Sequence, residues 1–257
     1  MATSWRISPP REACAARYTP RHPLAEKRAL QPEDGLRCTS IPPRTLPRNG
    51  SDIYPLTAMT TMHRVTVFVD WDTARRVVPC RSPNVRHIEE VFDRLQLAIS
   101  RHIHRRNRHD GYRINWRIYH GWHQGKTKTK DRMLFDKYVT VATARSIDRV
   151  SFSSDYSFSG ELSCTSRRSP VFDTLRLDRN TGETKQKMVD TMLVCDLLHH
   201  VKTKDSDLLI LIADDDDFAP ALFTAEAWNA SIMMLHNRES TNSALNLVGI
   251  AERMGFQ

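Results

Sequence analysis

Two apolar runs stop dead at aspartates. Val65-Thr66-Val67-Phe68-Val69 runs into Asp70-Trp71-Asp72, and Leu208-Leu209-Ile210-Leu211-Ile212-Ala213 runs into Asp214-Asp215-Asp216-Asp217. Short runs of this kind, rich in β-branched residues, suit strands buried on both faces of a parallel sheet. Carboxylates just past the ends of such strands stand where open α/β sheets bind ligands. In a doubly wound sheet the first and fourth strands commonly meet at the switch point, so the two acidic ends are expected to converge.

The rest of the chain alternates in the same way. A strand is expected over 64–70, a helix over 85–106 capped by Asn84, and a second strand over 112–119. A helix follows from Asp131 to Ile147, and the serine-rich stretch 146–170 reads as a loop or small insertion. Residues 171–178, the turn Asn180-Thr181-Gly182 and residues 183–187 suggest a strand and hairpin. A helix over 187–201 buries Met188, Thr191, Leu193, Val194, Leu197 and Leu198. Strands over 207–213 and 231–236 and helices over 217–229 and 241–254 complete the set. Strands alternating with helices make this an α/β chain with a doubly wound parallel sheet and helices on both faces.

Residues 1–62 differ in kind. They hold nine of the thirteen prolines and show no hydrophobic period, so they read as a disordered Pro/Arg-rich leader to a domain over 63–257. Met59 and Met62 lie immediately before the first strand, so the leader is expected to be dispensable. No apolar run approaches the roughly eighteen residues a membrane-spanning helix needs, and the start lacks the apolar core of a secretory signal. Five widely spaced cysteines form neither a disulfide framework nor a zinc motif. The expected compartment is a reducing cytoplasm, with no membrane partner.

Charge is segregated. Residues 101–132 carry ten Lys or Arg against two Asp, whereas 205–217 carry six Asp and no basic residue. A basic belt beside an acidic cluster suits a polyanion groove next to a cation site. Asp70, Asp72, Asp190 at the start of a helix, and Asp214 to Asp217 are the acids such a sheet brings to one rim. Clustered carboxylates repel one another unless a cation intervenes, and oxygen ligands of this kind suit Mg²⁺ or Mn²⁺. His102, His104, His120, His123, His199 and His200 have no partners at metal-ligand spacing, and Trp116, Tyr119 and Trp122 read mainly as strand core.

The segments VFVDWDT, KMVDTMLVCDLL and LLILIADDDDFAP together resemble the NYN domain, a branch of the PIN-like ribonucleases. Asp70 matches the acid that ends that family's first strand, and Asp72 the acid often found after it. Lys187 and Asp190 match its helix-opening motif, and Asp215, Asp217 and Phe218 its last one. Thr73, Met188 and Ala213 stand where the family carries Asn, Gly and Ser, and Asp214 and Asp216 replace small residues. The resemblance covers about residues 63–240. It implies a PIN-like fold and cleavage of RNA phosphodiesters by a Mg²⁺- or Mn²⁺-dependent endonucleolytic activity. Asp70, Asp190, Asp215 and Asp217 would be the catalytic metal ligands, supported by Asp72, Thr73, Lys187 and Asp214. Lys126, Lys128, Lys130 and Arg132 would follow the nucleic-acid backbone. Two other readings fit parts of the pattern. Asp70-Trp71-Asp72 also resembles the D-x-D of haloacid-dehalogenase-type phosphatases, although Ala74 stands where those enzymes carry Thr. The third reading is an RNA-binding module that does not cleave.

Overall fold

The computed structural model describes residues 61–159, 174–178, 180–238 and 250–256. The proposed leader lies outside them apart from its last two residues. Outside them too are residues 160–173 of the serine-rich stretch and the expected strand, and 241–249 of the expected last helix.

The elements in chain order are β1 (Met62–Asp70), α1 (Trp71–Ala74), α2 (Val85–Arg106), β2 (Gly111–Tyr119), β3 (His123–Gln124), β4 (Thr127–Lys128) and α3 (Lys130–Val141). They continue with β5 (Arg145–Ile147), β6 (Val150–Phe158), β7 (Leu175–Leu177), β8 (Thr184–Gln186), α4 (Val189–Thr203), β9 (Leu208–Ile212), α5 (Ala219–Ala227), β10 (Ile232–His236) and β11 (Ala251–Arg253). Seven strands form one sheet in the order β11-β10-β9-β1-β2-β6-β5, parallel throughout except for the antiparallel edge pair β5–β6. From β1 the chain builds outward through β2 and β6, then returns to build β9, β10 and β11 on the other side. The order therefore reverses between β1 and β9, as expected.

Strand alternation divides the core. Val65, Val67 and Val69 of β1 and Ile210 and Ile212 of β9 pack with α2 and α3 on one face. Phe68, Leu209 and Leu211 pack with α4 and α5 on the other. The α2 helix has the expected limits, and Asn84 Oδ1 accepts the His87 N–H at 3.0 Å. None of the helices among the described residues is long and apolar enough to cross a membrane.

Four expectations need correction. The helix expected to run to Ile147 ends at Val141, where Ala142 turns extended, and Arg145–Ile147 is an edge strand. Within the serine-rich stretch, Val150–Phe158 is a nine-residue sheet strand rather than a loop. Residues 251–253 pair with β10 as a strand and do not continue a helix. The buried face of α4 is Val189, Met192, Leu193, Asp196, Leu197 and Val201; Leu193 and Leu197 are buried as expected and Val194 and Leu198 partly so, whereas Thr191 is exposed. Met188 lies before the helix, in the left-handed region at φ 68°, with its side chain exposed.

Candidate functional site

The parallel register sets the geometry. Asp70 pairs with Tyr119 at the C-terminal edge of the sheet, and Val69 pairs with Ile212. Both acidic strand ends therefore finish side by side, and alternation sends Asp70, like Phe68, toward the α4 face where Asp190 opens its helix. An open cleft at this edge is lined by Asp70, Asp72, Thr73, Asp190 and Asp214 to Asp216, with Arg76, Gln186 and Arg238. Asp217 is not part of the lining, and Lys187 is exposed outside it.

Thr73 is the link between the two strand ends. Its buried hydroxyl donates to Asp70 Oδ2 at 2.7 Å and accepts the backbone N–H of Asp214 at 3.0 Å. Asp70 Oδ1 accepts the Asp72 N–H at 3.0 Å, so Asp70 caps α1. On the other strand, Asp215 Oδ1 accepts the Asp217 N–H at 2.9 Å and shapes the turn before α5. Phe218 anchors that turn in the core.

The acids fall into two sets. Asp72 pairs with Arg75 at 2.5 Å, Asp216 with Arg238 at 2.7 Å, and Asp214 accepts the Asn237 N–H at 2.7 Å with Arg76 4.0 Å away. Asp70, Asp190, Asp215 and Asp217 form no ion pair with a cationic side chain among the described residues. Burial raises the pKa of Asp70, and the neighbouring charges of Asp72 and Asp190 add to the rise while Thr73 and the Asp72 N–H oppose it. Asp190 is raised by burial, then by the charges of Asp215, Asp72 and Asp217. The carboxylates thus sense one another across the cleft. Among the described residues, no three His, Cys, Asp or Glu side chains are grouped to hold a metal ion.

A second network lies behind the cleft, and sequence reasoning missed it. His120, buried at the end of β2, has Nε2 3.0 Å from Asp131 and Nδ1 3.5 Å from Asp72. Arg75 approaches Asp131 at 3.6 Å and closes the ring. Gln186 of β8 donates from Nε2 to Asp72 and stands 2.9 Å from His120 Nδ1. Burial lowers the pKa of His120, but hydrogen bonds and charge from Asp131 and Asp72 outweigh it and the net shift is upward. Burial raises that of Asp72, yet His120, Arg75 and Gln186 outweigh it and hold the group below the ordinary value. No local spacing signals this ring, because its members come from four separate elements.

The basic belt is not continuous around the cleft. Met62 pairs with Gly111 at one end of β1–β2 and Asp70 with Tyr119 at the other. Eight strand steps, about 26 Å, separate the two edges. The end of α2 leads into the first of these edges, and along that helix His102 and Arg106 meet Glu252 of β11 at 2.6 and 3.7 Å. Arg117 is spent on Asp196, which is fully buried and also accepts from the Tyr119 hydroxyl at 2.8 Å. Only residues 120–132 share the acidic edge. There Lys128 and Arg132 both bind Asp136, at 2.6 and 3.0 Å, and Arg132 lies 3.7 Å over the Phe158 ring. Lys126 and Lys130 are exposed and have no acidic partner among the described residues. Lys126 follows Gly125, whose φ of 57° suits glycine at the tip of the β3–β4 hairpin.

Set against known proteins, the chain matches no family model, no curated protein and no solved structure.

Proposed function

We propose that this chain is a metal-dependent ribonuclease of the NYN, PIN-like kind, hydrolysing RNA phosphodiesters at the cleft between the ends of β1 and β9. One observation carries the reading. Of the seven acids gathered near this edge, Asp70, Asp190, Asp215 and Asp217 have no ion-pair partner among the described residues and all four match the family's motifs; Asp72, which also matches, is paired with Arg75. Ordinary surface acids at a strand end could equally have been paired by Arg75, Arg76 and Arg238, which instead serve Asp72, Asp214 and Asp216. Burial raises the pKa of Asp70 and Asp190, and the charges of neighbouring carboxylates add to the rise.

Oxygen-only, anionic donors of this kind suit Mg²⁺ or Mn²⁺ in chemistry, although no three of them are drawn together as a ligand set among the described residues. Asp70, Asp190 and Asp215 would hold the ion, with Asp217 completing the set from the adjoining turn. A bound divalent ion supplies a Lewis acid that activates water and offsets charge on the phosphoryl group. The protein's own part is positional. Thr73 fixes Asp70 against the β9 loop, the His120–Asp131–Arg75 ring fixes Asp72, and Lys126 and Lys130 offer exposed charge for phosphates on the same edge.

The test is incubation of the full chain with end-labelled single-stranded RNA and DNA in Mn²⁺, Mg²⁺ or EDTA. Shortening of RNA that requires the metal supports the reading. An aspartyl-phosphate trapped on Asp70 would select the phosphatase alternative, and RNA binding with no shortening in any metal would select a non-cleaving module.

A further inference from the structure

Gln186 is the one neutral side-chain amide in the cleft, and its orientation is fixed. Its amide nitrogen faces a carboxylate oxygen of Asp72, which only an N–H can approach. The same nitrogen stands 2.9 Å from His120 Nδ1, on the ring whose Nε2 faces Asp131. With the nitrogen side held there, the carbonyl oxygen bonds to nothing among the described residues and is not sealed from solvent. It is therefore a neutral, pre-oriented acceptor on the wall of a cleft whose remaining oxygens are mostly anionic.

We propose that this carbonyl accepts the 2′-hydroxyl of the nucleotide beside the bound phosphate, making Gln186 the residue with which the cleft distinguishes ribose from deoxyribose. The inference rests on the phosphodiester reading above. The chemistry selects the partner. An acceptor without hydrogens can bind only a donor. Beside a phosphodiester the sugar donor that RNA has and DNA lacks is the 2′-hydroxyl. The amide is placed by Asp72, two residues from Asp70, so a sugar next to a phosphate at Asp70 falls on the Gln186 wall. Its anchors come from α1, from the residue just past β2 and, through Asp131, from α3. Such backing makes a recognition group stiff enough to discriminate.

The experiment measures affinity, so it does not depend on turnover. The full chain carrying Asp215→Asn is titrated, in Mg²⁺, with single-stranded RNA, 2′-fluoro RNA and DNA of one sequence. The fluoro sugar keeps an RNA-like pucker but cannot donate. The expected result is RNA bound roughly three- to tenfold more tightly than either analogue, the worth of one neutral hydrogen bond. Gln186→Met, and Gln186→Asn as a shorter amide that loses reach, should each bring the RNA and 2′-fluoro affinities together, with thermal melting confirming the fold. Equal binding of RNA and 2′-fluoro RNA by the Gln186 protein, including no binding of either, overturns the assignment. So does a preference that survives in both variants. Cleavage by the unsubstituted chain is scored separately: discrimination at Gln186 without metal-dependent cleavage keeps the assignment and overturns the nuclease reading alone.

Discussion

The hydroxyl of Thr73 receives the backbone N–H of Asp214 at 3.0 Å while donating to Asp70 at 2.7 Å. One buried oxygen thus holds together two strand ends that lie 141 residues apart in the chain. The family resemblance places Asn here, and the threonine keeps a group that can both donate and accept.

Replacing Thr73 by Val keeps the shape and removes both bonds. The Asp214 N–H then loses its partner at a partly buried position, a cost of about 1–3 kcal/mol. Urea denaturation of Thr73→Val should show that loss, and metal-dependent cleavage should fall with it because Asp70 is no longer oriented. Thr73→Ser should recover most of both. A serine variant as impaired as the valine one would mean that packing, not the hydroxyl, matters.

Asp70→Asn and Asp215→Asn should abolish cleavage without unfolding the chain. For Asp70 the sign follows from its raised pKa. The folded state holds the proton more tightly than the unfolded chain, so stability declines as pH climbs from the ordinary value of 3.8 through the raised one. Above that window Asn removes a partly buried charge and its repulsion by Asp72 and Asp190, and the metal-free variant should melt at or above the parent's temperature. Mg²⁺ should raise the melting point of the parent more than that of either variant. Parent-like cleavage by either variant would put the metal site elsewhere.

His120 works in the opposite direction. Its folded pKa lies above the ordinary 6.5, so its contribution is complete below about 6.5 and fades as pH rises through the folded value. The stability difference between the parent and His120→Asn should therefore shrink from pH 5.5 to pH 8.5. A pH-independent difference would show that the ring of Asp72, Arg75, His120 and Asp131 contributes through packing alone.

Met188 occupies a left-handed conformation at φ 68° with an exposed side chain. Such a backbone costs a non-glycine residue roughly 1–2 kcal/mol, part of which glycine returns as unfolded-state entropy. Met188→Gly should stabilise the chain by about 0.5–1 kcal/mol in denaturant titrations. A loss of stability would mean that the Met188 side chain makes contacts outweighing its backbone strain. The position is also where the family resemblance places glycine, which this φ explains.

The strand ends and α2 were legible because their signals are local. β1 and β9 are uninterrupted apolar runs, and α2 has an Asn cap and a regular period. β6 was hidden by its serines. Val150, Phe152, Tyr156 and Phe158 fall at every second position, but Ser154 interrupts the series where the register against Ile114 and Trp116 slips by two residues, and serines and Asp155 fill the alternate positions. The face of α4 was read only in part, because Asp196 takes a fully buried position between Leu193 and Leu197, made tolerable by Arg117 and Tyr119 from β2. His120 and Gln186 carried no signal at all, since each gains its role from Asp72 across the sheet edge.

The hairpin tip supplies the last prediction. Lys126, Lys128 and Lys130 alternate along GKTKTK, yet they are not equivalent in the fold. Lys128 is 2.6 Å from Asp136, which it shares with Arg132, whereas Lys126 and Lys130 point free charge into solvent at the edge where the acids gather. Each phosphate neutralised on a single strand adds about 0.7 to the slope of log affinity against log salt. Lys126→Ala with Lys130→Ala should therefore flatten that slope by about 1.4 and weaken unrelated sequences alike, because these side chains meet phosphates rather than base edges. Adding Lys128→Ala should change the slope by much less than a further 0.7, since its charge is already held by Asp136. Cleavage at saturating substrate should change less than affinity, because the hairpin lies outside the acidic cleft. Affinities are best read on the Asp215→Asn background at several salt concentrations, and a slope unmoved by the double substitution would make this hairpin a plain solvated turn.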